Sequence, residues 1–192
     1  MLVRMTGRVK RGGVTSGVGR IRAAFAGVLQ GARAMVGTRR RPRLNLGCGD
    51  HPLPGFINLD KRGGWTFESG LKDFATESVA AITISHALMY VEAKDIPFVF
   101  SEFHRVLVPG GIIRITGDDT QNPQSLAFGG WTGDEPFVTL TSPSIVGGWL
   151  ERAGFDVHQV DENTTFFSDT SICQSFHRGP PHVFFIEGVR RV

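Results

Sequence analysis

Cysteine is nearly missing from this chain, with only Cys48 and Cys173 among 192 residues. Two thiols, with no secretory-type leader pattern ahead of them, supply neither a disulfide framework nor a cysteine cluster for structural zinc. A reducing, cytoplasmic setting is the expectation. Long apolar runs are also lacking. The nearest, Ala23 to Gly37, is interrupted by Gln30 and Arg33 and falls short of the roughly 20 residues a spanning helix needs, so no transmembrane segment is expected. No carboxylate precedes Asp50, whereas 11 Lys and Arg residues do, from Arg4 to Arg43. Removing these from the 21 basic residues leaves 10 against 18 acidic ones, so the net charge of +3 hides a remainder near -8. The basic character therefore describes a tail and says little about the rest of the surface. There is no internal repeat and no low-complexity segment beyond that tail.

The composition that remains, 41% hydrophobic and 20% charged, suits one globular domain. Residues 1–41 read as a basic, flexible extension and 42–192 as the folded domain. Within the extension only Ile21, Phe25, Val28, Leu29 and Ala32, with Met35 or Val36, recur at helical spacing, which allows one short amphipathic helix. An Arg-rich, acid-free segment suits an anionic surface, RNA or a transit-type peptide. The plainer reading is a disordered extension, or a chain whose true start is Met35.

From Arg43 onward, short β-branched runs alternate with helical patterns, the mark of an α/β domain with an open, mostly parallel sheet of about seven strands. Strands are expected at 43–46, 55–59, 65–68, 80–85, 111–116, 155–160 and 182–188. A helix follows Asp95, a candidate cap, with Pro97 in its first turn and Ile96, Val99, Phe100, Phe103 and Leu107 on one face. Val108-Pro109-Gly110-Gly111 then ends it. A second helix is expected over 144–153, capped by Ser142, opened by Pro143 and closed by Gly154.

Leu44-Asn45-Leu46 runs into the turn Gly47-Cys48-Gly49-Asp50 at the carboxyl edge of the first strand, where open parallel sheets bind ligands. Glycines there permit unusual backbone angles and close approach of a ligand, though a tight turn with no ligand reads the same. Asp60, where Phe56-Ile57-Asn58-Leu59 runs out, is placed to accept hydrogen bonds from both hydroxyls of a ribose. The bland alternative is a solvated acid at a strand end. Asp60 follows Gly49 too closely for the dinucleotide fingerprint, and no third glycine opens a long helix, which disfavours a pyrophosphate cofactor.

Taken together with further segments downstream, these make the chain resemble the class I S-adenosylmethionine-dependent methyltransferases, in particular the small methyltransferase-11-like branch. The resemblance rests on Leu44-Asn45-Leu46-Gly47-Cys48-Gly49, Asn58-Leu59-Asp60, Ser85-His86-Ala87-Leu88, Arg105-Val106-Leu107-Val108-Pro109-Gly110-Gly111 and Ala153-Gly154-Phe155, in that order over residues 43 to about 188. It implies a Rossmann-like fold and S-adenosylmethionine as cofactor. The methionine moiety would lie against Gly47, Cys48 and Gly49, the ribose on Asp60, and the adenine near Glu68 and the Asp73-Phe74 loop. The backbone at Ser85 and His86 would face the transferable methyl group. Cys48 reads as a small residue in a crowded turn rather than a nucleophile.

Methyl transfer from a sulfonium needs an acceptor aligned with the sulfur-to-methyl bond and, for a hydroxyl acceptor, removal of a proton; it needs no metal. His86, at the exit of the fourth strand, is the best candidate base, since an imidazole accepts a proton at neutral pH; a histidine merely hydrogen-bonded at a strand end is the alternative. Asp118 and Asp119, read as following the fifth strand, could bind acceptor hydroxyls, act as an alternative base, ligate a divalent ion or be solvated loop acids. Thr120 to Thr141, with Phe128, Gly129, Gly130 and Trp131, reads as a lid over the acceptor. Arg178, between His177 and His182, would help shape the acceptor pocket. Tyr90 stands where relatives often have histidine, and the loop Gly129 to Thr141 lacks the histidine many of them carry. The expected acceptor is a hydroxyl of a small molecule or glycan. RNA methylation through the basic tail, or a cofactor-binding protein without turnover, are the competing readings.

Overall fold

The computed structural model describes residues 41–124, 137–174 and 182–192. The expected tail helix, Trp131 with its neighbours Phe128 to Gly130, and His177-Arg178 lie outside those residues. Six strands form one sheet: β1 (Arg43–Leu46), β2 (Ile57–Leu59), β3 (Val79–Ser85), β4 (Leu107–Asp118), β5 (Phe155–Gln159) and β6 (Val183–Arg190). Their order across the sheet is β2-β1-β3-β4-β6-β5. β1 pairs in parallel with β2 and β3, and β3 with β4. β6 runs antiparallel between β4 and β5.

The α/β, Rossmann-like architecture is as expected, with one strand fewer. Residues 65–68 form no strand; two 3-10 turns, Lys61–Gly63 and Phe67–Ser69, occupy that stretch. Trp65 and Phe67 alternate as strand residues would, yet their rings meet edge to face with centroids 4.9 Å apart. The Trp65 indole N–H is committed to Gly70 O at 2.9 Å, and Ser69 N–H donates to Thr66 O at 3.1 Å. Local bonds close the segment into turns and leave no free ladder for a sheet edge.

β4 is longer at both ends than its sequence pattern. At its end, β6 pairs with it as far as Asp118↔Val183, because an antiparallel neighbour can hold glycine and acid residues that read as loop.

Among the described residues, two helices cover one face of the sheet. α1 (Ile96–Val106) buries Ile96, Val99, Phe100, Phe103 and Val106, spaced for one stripe. Asp95 precedes it in helical conformation but makes no side-chain cap, and Leu107, expected on the helix, begins β4 instead. α2 (Pro143–Arg152) is capped as the sequence indicates, Ser142 Oγ accepting from Ile145 N–H at 3.2 Å. The helices meet through Phe100 and Trp149, 5.7 Å between ring centroids. Beneath them Leu44, Leu46, Ile82, Ile84, Ile113 and Ile115 form the main core.

The opposite face alternates with it and is largely polar. Asn45, Thr83, Arg114, Thr116 and Glu187 are buried there, and the chain after β5 lies over them. Arg114 donates to the carbonyl oxygens of Asp161, Glu162 and Thr164 at 2.7 to 2.9 Å. A small second core of Leu53, Phe56, Ala81 and Ile172 seals the adjoining area, with Arg43 stacked over Phe56 and bonded to Asp169 and Ser171. Among the described residues, no helix is long and apolar enough to cross a membrane.

Candidate functional site

The carboxyl ends of β1, β2 and β3 come together around a cavity of about 680 Å³. Gly47 begins the turn after β1. Its φ of +67° lies in the left-handed region, and a Cβ there would meet the Ala87 methyl at 2.5 Å. Glycine is thus required twice, by conformation and by the close approach of the chain leaving β3. Gly49, at φ +50°, would meet nothing within 4 Å, so its missing Cβ opens space instead.

Backbone bonds hold the turn to the next strand: Gly47 and Cys48 N–H both donate to Leu59 O, at 2.8 and 3.3 Å. One residue further on, Asp60 ties the two loops together. Its Oδ2 accepts from Gly49 N–H at 3.1 Å and its Oδ1 from Arg62 N–H at 3.0 Å. A carboxylate offers about four acceptor positions, so two remain for a ligand.

The lining residues include Gly47, Cys48, Gly49, Asp60, Glu68, Ser85 and His86, so all six expected cofactor-binding residues and the expected base share one cavity. Asp118 and Asp119 are not among its described lining residues. Asp118 ends β4, buried beside His86, with His86 Nδ1 to Asp118 Oδ2 at 3.4 Å. Asp119 Oδ1 accepts from Gln121 N–H at 3.0 Å, and its own N–H donates to His182 O at 2.7 Å.

Other lining residues were not expected in the cofactor site: Lys61, Arg62, Trp65, Thr66, Phe67 and Tyr90. The first five enter because the 3-10 turns fold 61–69 back over the glycine turn, which no periodicity reveals. Tyr90, noticed in sequence only as a departure, lines the cavity and stands edge to face on Phe137, 5.6 Å between centroids.

Charge at the site is mixed. Arg62 and Asp50 form an exposed ion pair, and the guanidinium holds the Asp50 carboxyl below its usual range through a hydrogen bond. Burial, and then the nearby Asp60 carboxylate, push the Cys48 thiol up. A thiol kept protonated is a poor nucleophile, in keeping with a space-filling role.

The arrangement offers backbone donors from a glycine turn, a carboxylate for a diol, an aromatic wall and an imidazole. Comparisons with known proteins agree with it. The family model described as "Methyltransferase domain" matches residues 66–115. No curated protein matches the sequence. Among solved structures, an S-adenosylmethionine-dependent methyltransferase from Archaeoglobus fulgidus superposes with a TM-score of 0.54 at 15% identity, over 89% of this chain and 96% of that one. One from Thermotoga maritima gives 0.52 at 16% identity, over 89% and 91%, and one from Mesorhizobium loti 0.51 at 16%, over 84% and 100%. At such identities the likeness is one of fold.

Proposed function

Taking the class I methyltransferase fold and the methyltransferase-domain match over 66–115 as premise, we propose that this chain binds S-adenosylmethionine and methylates a hydroxyl of a small molecule or glycan. The observation that carries the reading is the bond from Gly49 N–H to Asp60 Oδ2, 3.1 Å, on the wall of the 680 Å³ cavity. It joins the glycine turn and the acid ending the neighbouring strand into one cradle, with open space beside Gly49. Such a cradle suits a nucleoside carrying a small charged chain.

The residues present fit that cofactor. Gly47, Cys48 and Gly49 would take the methionine end, Asp60 the ribose diol, and Glu68 with the Trp65 and Phe67 walls the adenine. Ser85 would lie near the reacting end. S-adenosylmethionine supplies a methyl group on a sulfonium, with a neutral thioether as leaving group. The chain's own task is then to align the acceptor and take its proton. His86 lines the same cavity and is the base in this reading, a role typically worth about 10² to 10⁴ in rate.

The test is binding of S-adenosylhomocysteine by calorimetry, with NAD as control, followed by a methyl-transfer screen against hydroxylated small molecules and glycans. Binding of the homocysteine nucleoside without NAD supports the reading; NAD binding in its place overturns it.

A further inference from the structure

The 680 Å³ cavity is charged on one side only. Among its described lining residues every carboxylate, Lys and Arg comes from 50–68: Asp50, Asp60, Lys61, Arg62 and Glu68. The chain leaving β3 contributes Ser85, His86, Ala87 and Tyr90 instead. Among those residues a phosphate or ammonium group on an acceptor meets no carboxylate, Lys or Arg. An aromatic ring meets Tyr90.

Tyr90 is held in place by both its backbone and its ring. It closes the 3-10 turn Leu88–Tyr90, in which Leu88 and Met89 are buried while Tyr90 is 36% exposed. Tyr90 N–H donates to Ala87 O at 3.2 Å and Val91 N–H to Leu88 O at 3.1 Å. A distant segment fastens the same turn: Val138 and Thr139 N–H both donate to Met89 O, at 2.9 and 3.2 Å, and Thr139 Oγ1 donates to Val91 O. That segment sets the Phe137 ring against Tyr90, with centroids 5.6 Å apart and planes at 75°. Edge-to-face contact is a favoured arrangement of two rings, so each braces the other. A partly exposed tyrosine on open surface needs no explanation. One braced in this way on a cavity wall is a preformed surface for a ligand.

The proposed function leaves this surface unused by the nucleoside, since Asp60 takes the ribose and Glu68, Trp65 and Phe67 the adenine. We infer that Tyr90, braced by Phe137, is the specificity-determining residue for the acceptor: it packs on an aromatic ring, and the acceptor is a phenol. The inference rests on the proposed function and narrows its substrate class. A sugar would need side-chain amides or carboxylates to bind its other hydroxyls, and the described residues of this wall offer none. A phenolic hydroxyl gives up its proton at about pH 10, more readily than an alcohol does. In the transfer the phenol oxygen takes the methyl group, the sulfur keeps the electron pair of the broken bond and the phenolic proton is released to water. A sulfonium and a phenol thus become a thioether, an aryl methyl ether and a proton.

Tyr90 is the only tyrosine of the chain, so ring-labelled tyrosine gives one set of NMR signals in the full protein. The probes are β-naphthol, its saturated counterpart decalol and methyl glucoside, each titrated with and without saturating S-adenosylhomocysteine. Expected is a saturable shift of the Tyr90 signals with β-naphthol, which binds roughly two- to tenfold tighter than decalol. S-adenosylhomocysteine alone should move them less. In Tyr90→Leu, calorimetry should show the preference for β-naphthol gone. Equal binding of the two alcohols, a response to methyl glucoside in place of β-naphthol, no response to β-naphthol, or the preference retained in Tyr90→Leu would overturn the inference. If the variant does not fold, the wild-type titration decides. Failure to bind S-adenosylhomocysteine would overturn the proposed function, while the Tyr90 response to β-naphthol in its absence would still decide whether this wall holds an aromatic ring.

Discussion

Arg114 and Glu187 face each other across β4 and β6, 2.8 Å apart, with both side chains wholly buried. Glu187 also accepts from Phe166 N–H at 2.8 Å, and Arg114 binds three carbonyls of the same covering segment. The pair therefore anchors residues 161–166 to a sheet face that has little apolar surface to hold them. Glu187→Ala should lower stability in chemical denaturation by about 3–5 kcal/mol, because the remaining guanidinium is buried without its counter-charge. Faster proteolysis within 160–167 should accompany it.

The two glycines of the turn should behave differently. Gly47→Ala combines left-handed strain with a Cβ 2.5 Å from Ala87, and the expected outcome is loss of S-adenosylhomocysteine binding with a clear fall in melting temperature. Gly49→Ala carries only the conformational penalty, about 1–2 kcal/mol. It should fold, and weaken ligand binding by filling the space beside the cradle. Thermal melting and calorimetry on both variants check the contrast.

Asp60→Asn keeps the shape of the side chain and removes its charge. Charged hydrogen bonds contribute about 1.5–3 kcal/mol, so nucleoside affinity should fall roughly ten- to a hundredfold, read by titration calorimetry. The melting temperature should change little, since the amide oxygen still serves one of the two backbone donors now on Asp60.

Glu102 gives a pH dependence. Its carboxylate takes bonds from Arg105, at 2.6 and 2.9 Å, and from Leu71 N–H at 2.9 Å. The Arg105 hydrogen bond chiefly holds it below its ordinary value of 4.5, against the opposing effect of burial. A carboxyl whose folded value is depressed stabilises the fold above the unfolded value, and that contribution is lost as pH falls through the lower, folded one. Glu102→Gln should therefore be less stable than wild type at neutral pH by about 1 kcal/mol, the low end because Arg105 is partly solvated. The difference should close in acid, as denaturant titrations across that range would show.

Much of the fold and the site was legible in the chain itself. Leu44 to Leu46, the Ile96 to Val106 stripe and the Ser142 cap follow from local patterning that the folded state reinforces, and Gly47, Cys48, Gly49, Asp60, Ser85 and His86 line one cavity at the strand ends where their motifs placed them. What sequence reasoning misread has physical causes. Trp65 to Glu68 carries strand formers but spends its polar groups on local turns. Gly117-Asp118 reads as loop because only pairing with a strand more than sixty residues later makes it β. The polar sheet face around Thr83, Arg114 and Glu187 depends on a covering segment whose contacts are carbonyl oxygens, which no side-chain pattern encodes.

The glycine turn and Asp60 together should hold an adenosine, and the proposed chemistry depends on that. Titration of the wild-type chain with S-adenosylhomocysteine, alongside NAD, measures it directly. One-site binding of the homocysteine nucleoside with no heat from NAD is the predicted result, and silence with both would contradict it.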